Sequence, residues 1–234
     1  MKKSLFALSA VAALSASAGA SVVFSGSGNN PEVGANASGS AAFSISGDIL
    51  TVVLTNTTAP RTTAQGNALT GVTFDVTGTN PALDLASTAM SAGSLLWTSK
   101  TASTSSADIN GSWTDVLGAS PLGEFGAAST GFSGRFNGGS ISLGNASPNY
   151  GVVAAATFNG TSGVSFGGSQ FPFIQTSLTL TFSGATGMSL SALSNVKILF
   201  GTDGTGIVNT TVPAPASAAL LAMAGVMAGR RRRN

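Results

Sequence analysis

The chain has no cysteine and no histidine in 234 residues, and only 8% of its residues are charged. Without cysteine there are no disulfides, thiol nucleophiles, thiolate zinc sites or iron–sulfur clusters. Without histidine the commonest general base and the commonest transition-metal ligand are gone, and a Ser-His-Asp triad cannot be built. Typical domains carry about 25% charged residues. The shortage of charge here leaves a neutral chain rich in Ser, Thr and Gly, a composition suited to β-structure with many turns. The expectation is a protein that is not an enzyme and holds no cofactor.

The few charges are unevenly placed. Lys2, Lys3 and Arg230–Arg233 lie at the ends, and only Arg61, Lys100, Arg135 and Lys197 lie between them. All eight acids are internal, so four cations against eight anions leave the body at −4. The formal +2 and the high isoelectric point therefore belong to the ends. No nucleic-acid-binding patch follows from them.

The N-terminus reads as a secretory signal peptide over residues 1–20. Lys2 and Lys3 precede an apolar run from Leu5 to Leu14, and Ala18-Gly19-Ala20 supplies small residues for cleavage after Ala20. No twin-arginine pattern is present, which points to the general secretory machinery.

The C-terminal segment, residues 212–234, has three parts: Val212-Pro213-Ala214-Pro215, an uncharged run from Ala216 to Gly229, and Arg230, Arg231, Arg232 and Arg233. Proline fixes φ and lacks an N–H, so no helix runs back through Pro213 and Pro215. Ala and Leu favour helix beyond them. From Ala214 to Gly229 such a helix would extend roughly 24 Å. A hydrocarbon core is about 30 Å thick, so the segment is marginal as a permanent anchor. The arginines hold their end in the cytoplasm. With cationic flanks at both ends, the body between them is expected across the membrane, tethered at both ends before processing. The same residues also fit a plain single-span anchor, whereas a lipid-anchor signal would end in its apolar tail.

This tail resembles a PEP-CTERM sorting signal, which has a Val-Pro-Glu-Pro box, an apolar helix and an Arg-rich end. Val212, Pro213 and Pro215 match the box, Ala214 stands where the family has glutamate, and Arg230–Arg233 match the basic end. The resemblance implies an exosortase-type membrane protease as a partner. It also implies a Gram-negative-type bacterial host, transient anchoring in the inner membrane, and a final place at the cell surface or in the extracellular matrix. It covers about a tenth of the chain and is silent about what the body does.

Between the ends, residues 21–203 are expected to form an all-β domain, an antiparallel sandwich or jelly roll, with residues 204–211 as a linker. Val22–Phe24 reads as a short strand followed by a polar loop to Gly39. The firmest local expectation is a hairpin of Ala41–Ser46 and Ile49–Thr55 about a type II′ turn at Gly47-Asp48. Leu69–Val76 alternates, with Val72, Phe74 and Val76 on the buried face. The hairpin and the stretch Leu69-Thr70-Gly71-Val72-Thr73-Phe74-Asp75 resemble the opening of exosortase-sorted surface domains. Residues 86–120 show little periodicity. Leu178, Leu180 and Phe182 alternate with threonines, and Val196, Ile198 and Phe200 form a last strand. Many short strands between turn signals point to this fold class.

Several residues are candidates for chemistry or binding. Oxygen ligands suit Ca²⁺, and Asn30 with Glu32 or Asp203 with Gly204 could supply them. Glu124 and Asp115 are the carboxylates to consider for glycoside hydrolysis. Trp97 and Trp113 could stack on the rings of a surface polysaccharide. Asn36, Asn56, Asn110, Asn145, Asn159 and Asn209 each head an Asn-x-Ser/Thr sequon.

Overall fold

The computed structural model describes residues 20–59, 65–78, 81–99, 101–116, 122–134, 136–137, 140–141, 147–154 and 171–212. Ala18 of the cleavage motif, the sequons at Asn145 and Asn159, and the tail from Pro213 to Arg233 lie outside these residues. Within them the regular structure is almost wholly β. In chain order the strands are β1 (Ser21–Asn30), β2 (Ala35–Ser46), β3 (Ile49–Asn56), β4 (Leu69–Val76), β5 (Asp84–Met90), β6 (Leu95–Trp97), β7 (Ser103–Thr104) and β8 (Trp113–Asp115). They continue as β9 (Phe125–Ser129), β10 (Phe136–Asn137), β11 (Ser140–Ile141), β12 (Val152–Val153), β13 (Phe173–Gln175), β14 (Ser177–Ser183), β15 (Leu193–Phe200) and β16 (Gly206–Asn209). The helical content is one turn at Thr130–Ser133 and two short 3₁₀ segments. No helix among the described residues is long and apolar enough to cross a membrane.

The first sheet has the order β1-β2-β3-β14-β5 and is antiparallel throughout. Its centre is the expected hairpin, with Ser46 opposite Ile49. Gly47 has φ +61 and Asp48 does not share the positive sign, as a type II′ turn requires. Alternation decides the faces: Leu50, Val52 and Leu54 on β3 and Leu178, Leu180 and Phe182 on β14 are fully or almost fully buried, with half-exposed neighbours between them.

The second sheet follows different rules. Its main path is β16-β15-β4-β12-β13-β6-β7, with β9 beside β4 and β8 beside β9. Most pairs are antiparallel, but β12 and β13 run parallel. Nearly every residue of β4 and every residue of β9 is buried, so both faces of this sheet are covered. One face carries Val72, Phe74, Ile198 and Phe200 into the large core shared with the first sheet. The other carries Leu199 and Ala128 onto Val116, Leu122 and Phe132 in a separate small cluster.

Aromatic side chains join the two sheets. Phe43 on β2 meets Phe74 on β4 edge-to-face with ring centroids 5.3 Å apart, and Phe74 also meets Phe182 on β14 at 6.0 Å. Phe24 extends the chain of rings at one end and Phe125 at the other. Such pairs contribute roughly 0.5–1.5 kcal/mol beyond the burial of their area.

Three expectations change. The loop expected over Ser25–Gly39 is mostly strand: β1 continues to Asn30 and β2 begins at Ala35, leaving only a tight turn. Its Ser, Gly and Asn residues disfavour strand locally, but a complete ladder from Ser21↔Ser44 to Asn30↔Ala35 outweighs that preference. Residues 86–120 hold β6, β7, β8 and most of β5, strands too short to show a period. The expected linker 204–211 contains β16, which is paired with β15 from Lys197↔Asn209 to Phe200↔Gly206.

Candidate functional site

The last described residues lie against the first strand. Ser25 N–H donates to Thr211 O at 3.1 Å, and Thr211 N–H donates to Ser25 O at 2.9 Å. This isolated antiparallel bridge closes the outer edge of β1 at one position. The close approach depends on Gly26, where a Cβ would run into the Asn209 carbonyl. In an antiparallel pair the two chains run in opposite directions. The backbone leaving Thr211 therefore heads toward Ser21, and Ala20 and Val212 sit at the same end of the body. Val212 and Val23 are two of the three large apolar side chains exposed among the described residues. Ala20 is exposed as well.

Beside this junction lies an open groove of about 480 Å³ lined by Ser25, Ser27, Ser40, Thr57, Asn209 and Thr211 around Gly26 and Gly39. It belongs to a wider surface. Because β-strand side chains alternate, the residues between the core positions of the first sheet all face outward. Strand register lines them up in rows: Ser21, Ser44, Thr51, Thr181 and Ser87 in one, and Ser25, Ser40 and Thr55 in another. Val23, Ala42, Val53, Thr179 and Ala89 form the row between. β1, β2, β3 and β14 contain no charged residue. Among the described residues these rows form a regular, hydroxyl-striped and uncharged surface on β1, β2, β3 and β14. Its signal in the sequence is the recurrence of Ser and Thr at every second position of the strands.

The oxygen-ligand candidates are brought together but are engaged by donors. Glu32 accepts from Thr202 N–H and Thr202 Oγ1–H, both at 2.7 Å, and from Asp203 N–H at 3.3 Å. Asn30 Oδ1 accepts from Glu32 N–H at 3.0 Å, and Asn30 Nδ2 donates to the Gly66 carbonyl. Asp203 Oδ1 accepts from the backbone and hydroxyl of Thr205. Gly201, at φ +83, leaves room for the Glu32 carboxylate, which an added Cβ would strike. The group is a clasp joining the β1–β2 turn, the β15–β16 turn and the 3₁₀ turn at Gln65–Asn67. Among the described residues no three His, Cys, Asp or Glu groups gather in a way that could hold a metal ion.

The hydrolase candidates are held by different partners. Both Asp115 oxygens accept from Leu85 N–H, at 2.9 and 3.0 Å. Burial pushes the Asp115 carboxyl above the usual carboxylate range, and the neighbouring Asp84 pushes it the same way, while the Leu85 hydrogen bond opposes the rise. Glu124 is held through its backbone N–H by Asp75 at 2.8 Å, and its own side chain is exposed. Asp84 is the partner that sequence reading missed, since nothing local links β5 to β8.

The two tryptophans differ. Trp113 is enclosed in the core, and its Nε1–H donates to Tyr150 O at 3.0 Å, which removes it from any stacking surface. Trp97 is half-buried against the small cluster of Ala68, Val153 and Phe173, with Nε1–H donating to Gln175 Oε1 at 2.7 Å. Asn56 is buried, and its amide donates to Asn67 O and Val152 O, so this sequon cannot accept a glycan in the folded chain. Asn36, Asn110 and Asn209 are exposed.

No family model, no curated protein and no solved structure matches the chain.

Proposed function

We propose that this is an exported, non-catalytic surface or matrix protein: a two-layer β-sandwich body delivered by a signal peptide and a C-terminal sorting signal. One observation carries the reading: the Pro-x-Pro, apolar and tetra-arginine tail follows directly from the strand that leaves the body at Thr211 beside Ser25. Ala20 and Val212 then lie at one end of the body, an arrangement that suits a body tethered twice to one membrane. Val212, Pro213, Ala214 and Pro215 present the junction to an exosortase-type protease, Ala216–Gly229 holds it in the membrane, and Arg230–Arg233 stop transfer. Mass spectrometry of both termini from the native host tests this. The expected mature chain begins at Ser21 and ends near Val212–Ala216, and a surface protein that keeps all four arginines would refute it.

A second reading is a carbohydrate-binding surface, which the uncharged hydroxyl rows and groove favour over Trp113. Pull-down on a panel of neutral polysaccharides, with loss of binding in a Ser40→Val, Thr55→Val double variant, would support it. No binding across the panel would favour a purely structural body.

A further inference from the structure

The Ser25–Thr211 bridge fixes which residues of the departing chain face β1. Both of its hydrogen bonds join the same two residues, so it is a hydrogen-bonded pair, and in an antiparallel ladder such pairs recur at every second position. The next rungs would be Val23 with residue 213 and Ser21 with residue 215. Both of these positions are proline, and neither can donate. On the other side of each rung, β1 is the outermost strand of its sheet, and Ser21 and Val23 are exposed. Their outward N–H and C=O groups, of the same parity as those of Ser25, carry no backbone hydrogen bond to a described residue.

We propose that Pro213 and Pro215 are register-matched ladder breakers: their spacing of two removes the donor from each rung on which the chain would otherwise zip onto β1. Without them, the Ser21–Val23 edge is a ready template, and an extended chain running antiparallel beside it would add to the sheet. Proline at 212 or 214 would have no such effect, because there the missing N–H points away from β1. The prolines thus withhold the donors that a further edge strand beside Ser21–Val23 would need. That this ladder stop serves a processing protease rests on the sorting reading above, whereas the stop itself does not.

The test is hydrogen exchange by mass spectrometry on the full-length chain in detergent micelles, comparing wild type with two variants. In Pro213→Ala, Pro215→Ala both missing donors return, and amides of Ser21–Val23 and of residues 213–215 should exchange more slowly, by roughly fivefold or more. In the shifted variant Val212→Pro, Pro213→Val, Ala214→Pro, Pro215→Ala the proline count is unchanged but the parity is reversed. It should show the same slowing over Ser21–Val23. Slowing confined to residues 212–216 in the alanine variant would mean helix extending backward from the tail, and would overturn the proposal. So would a shifted variant that exchanges like wild type, since the prolines would then act regardless of register. Processing of the same variants in the native host is a separate readout. Absence of processing in wild type would remove the sorting reading and leave the exchange result standing.

Discussion

The two sheets reach burial by opposite routes. β3 of the first sheet alternates strictly, with Leu50, Val52 and Leu54 inward and Thr51, Val53 and Thr55 outward. β4 of the second sheet is enclosed on both sides, with Phe74 facing the shared core and Thr73 donating from the opposite face to Leu122 O at 2.8 Å. A sheet with one solvated face tolerates hydroxyls there at little cost. A sheet covered on both faces has no water to satisfy its polar groups, and among the described residues Ser112 next to β8 and Ser129 in β9 keep buried hydroxyls with no hydrogen-bond partner, as Thr88 does on the inner face of the first sheet. Regularity in this molecule follows from having a wet side.

The comparison can be broken most severely where the sheets meet. Phe74→Ala should destabilise the body by about 3–5 kcal/mol, because the ring contacts Phe43, Phe125 and Phe182 and leaves a cavity between both layers. Equilibrium urea unfolding of the variant would measure it. Thr51→Val, on the outward face of the first sheet, should shift the same curve by no more than about 0.5 kcal/mol. If the two variants proved equally damaging, the outward rows would be buried against something else.

A smaller effect is expected at the clasp. Glu32→Ala strips the acceptor from Thr202 and Asp203 and should cost about 2 kcal/mol. Glu32→Gln keeps one oxygen and should lose less. Chelation with EGTA should leave the melting temperature unchanged, since the carboxylate oxygens of Glu32 are already engaged by protein donors.

The smallest effects are those of pH. Asp115 has a raised carboxyl, so its contribution to stability is present below the ordinary carboxylate range and is lost as pH rises through the raised value. Asp115→Asn should remove that slope, and with solvent screening the gain at neutral pH should not exceed about 1 kcal/mol. Asp48 has the opposite sign. Hydrogen bonds from Thr186, above all its hydroxyl at 2.6 Å, and from Gly184 lower its carboxyl. Its contribution is present above the ordinary range and is lost as pH falls through the lowered value. Thr186→Val should weaken that loss on the acid side, as measured by thermal melts across the carboxylate range.

How legible each sheet was in the sequence follows from the same contrast. The β2–β3 hairpin and the inward sets of β4, β14 and β15 could be read, because alternation or a turn of defined chirality marks them. β6, β7, β8 and β12 are two or three residues long, too short for an alternating pattern to repeat, and they are held by partners elsewhere in the chain. In the sequence Gly206-Ile207-Val208-Asn209 reads as part of a charge-free linker, yet β15 supplies it with a full ladder. The candidate residues fared likewise. Asn30, Glu32 and Asp203 were each visible as oxygen donors. That the carboxylate of Glu32 would accept backbone N–H groups from 170 residues away was not. The Val212–Pro215 box was visible as residues, but the parity of its prolines has meaning only once Thr211 is seen beside Ser25.

That bridge also determines how the body carries load. The chain's first strand and its last leave the domain side by side and in the same direction, so the two ends act as one handle. A pull through either end reaches the body at the same strand pair, along the same axis. A body held by either end, or by both, would therefore hang in one orientation, and letting go of one end would not turn the hydroxyl-striped face to a new direction.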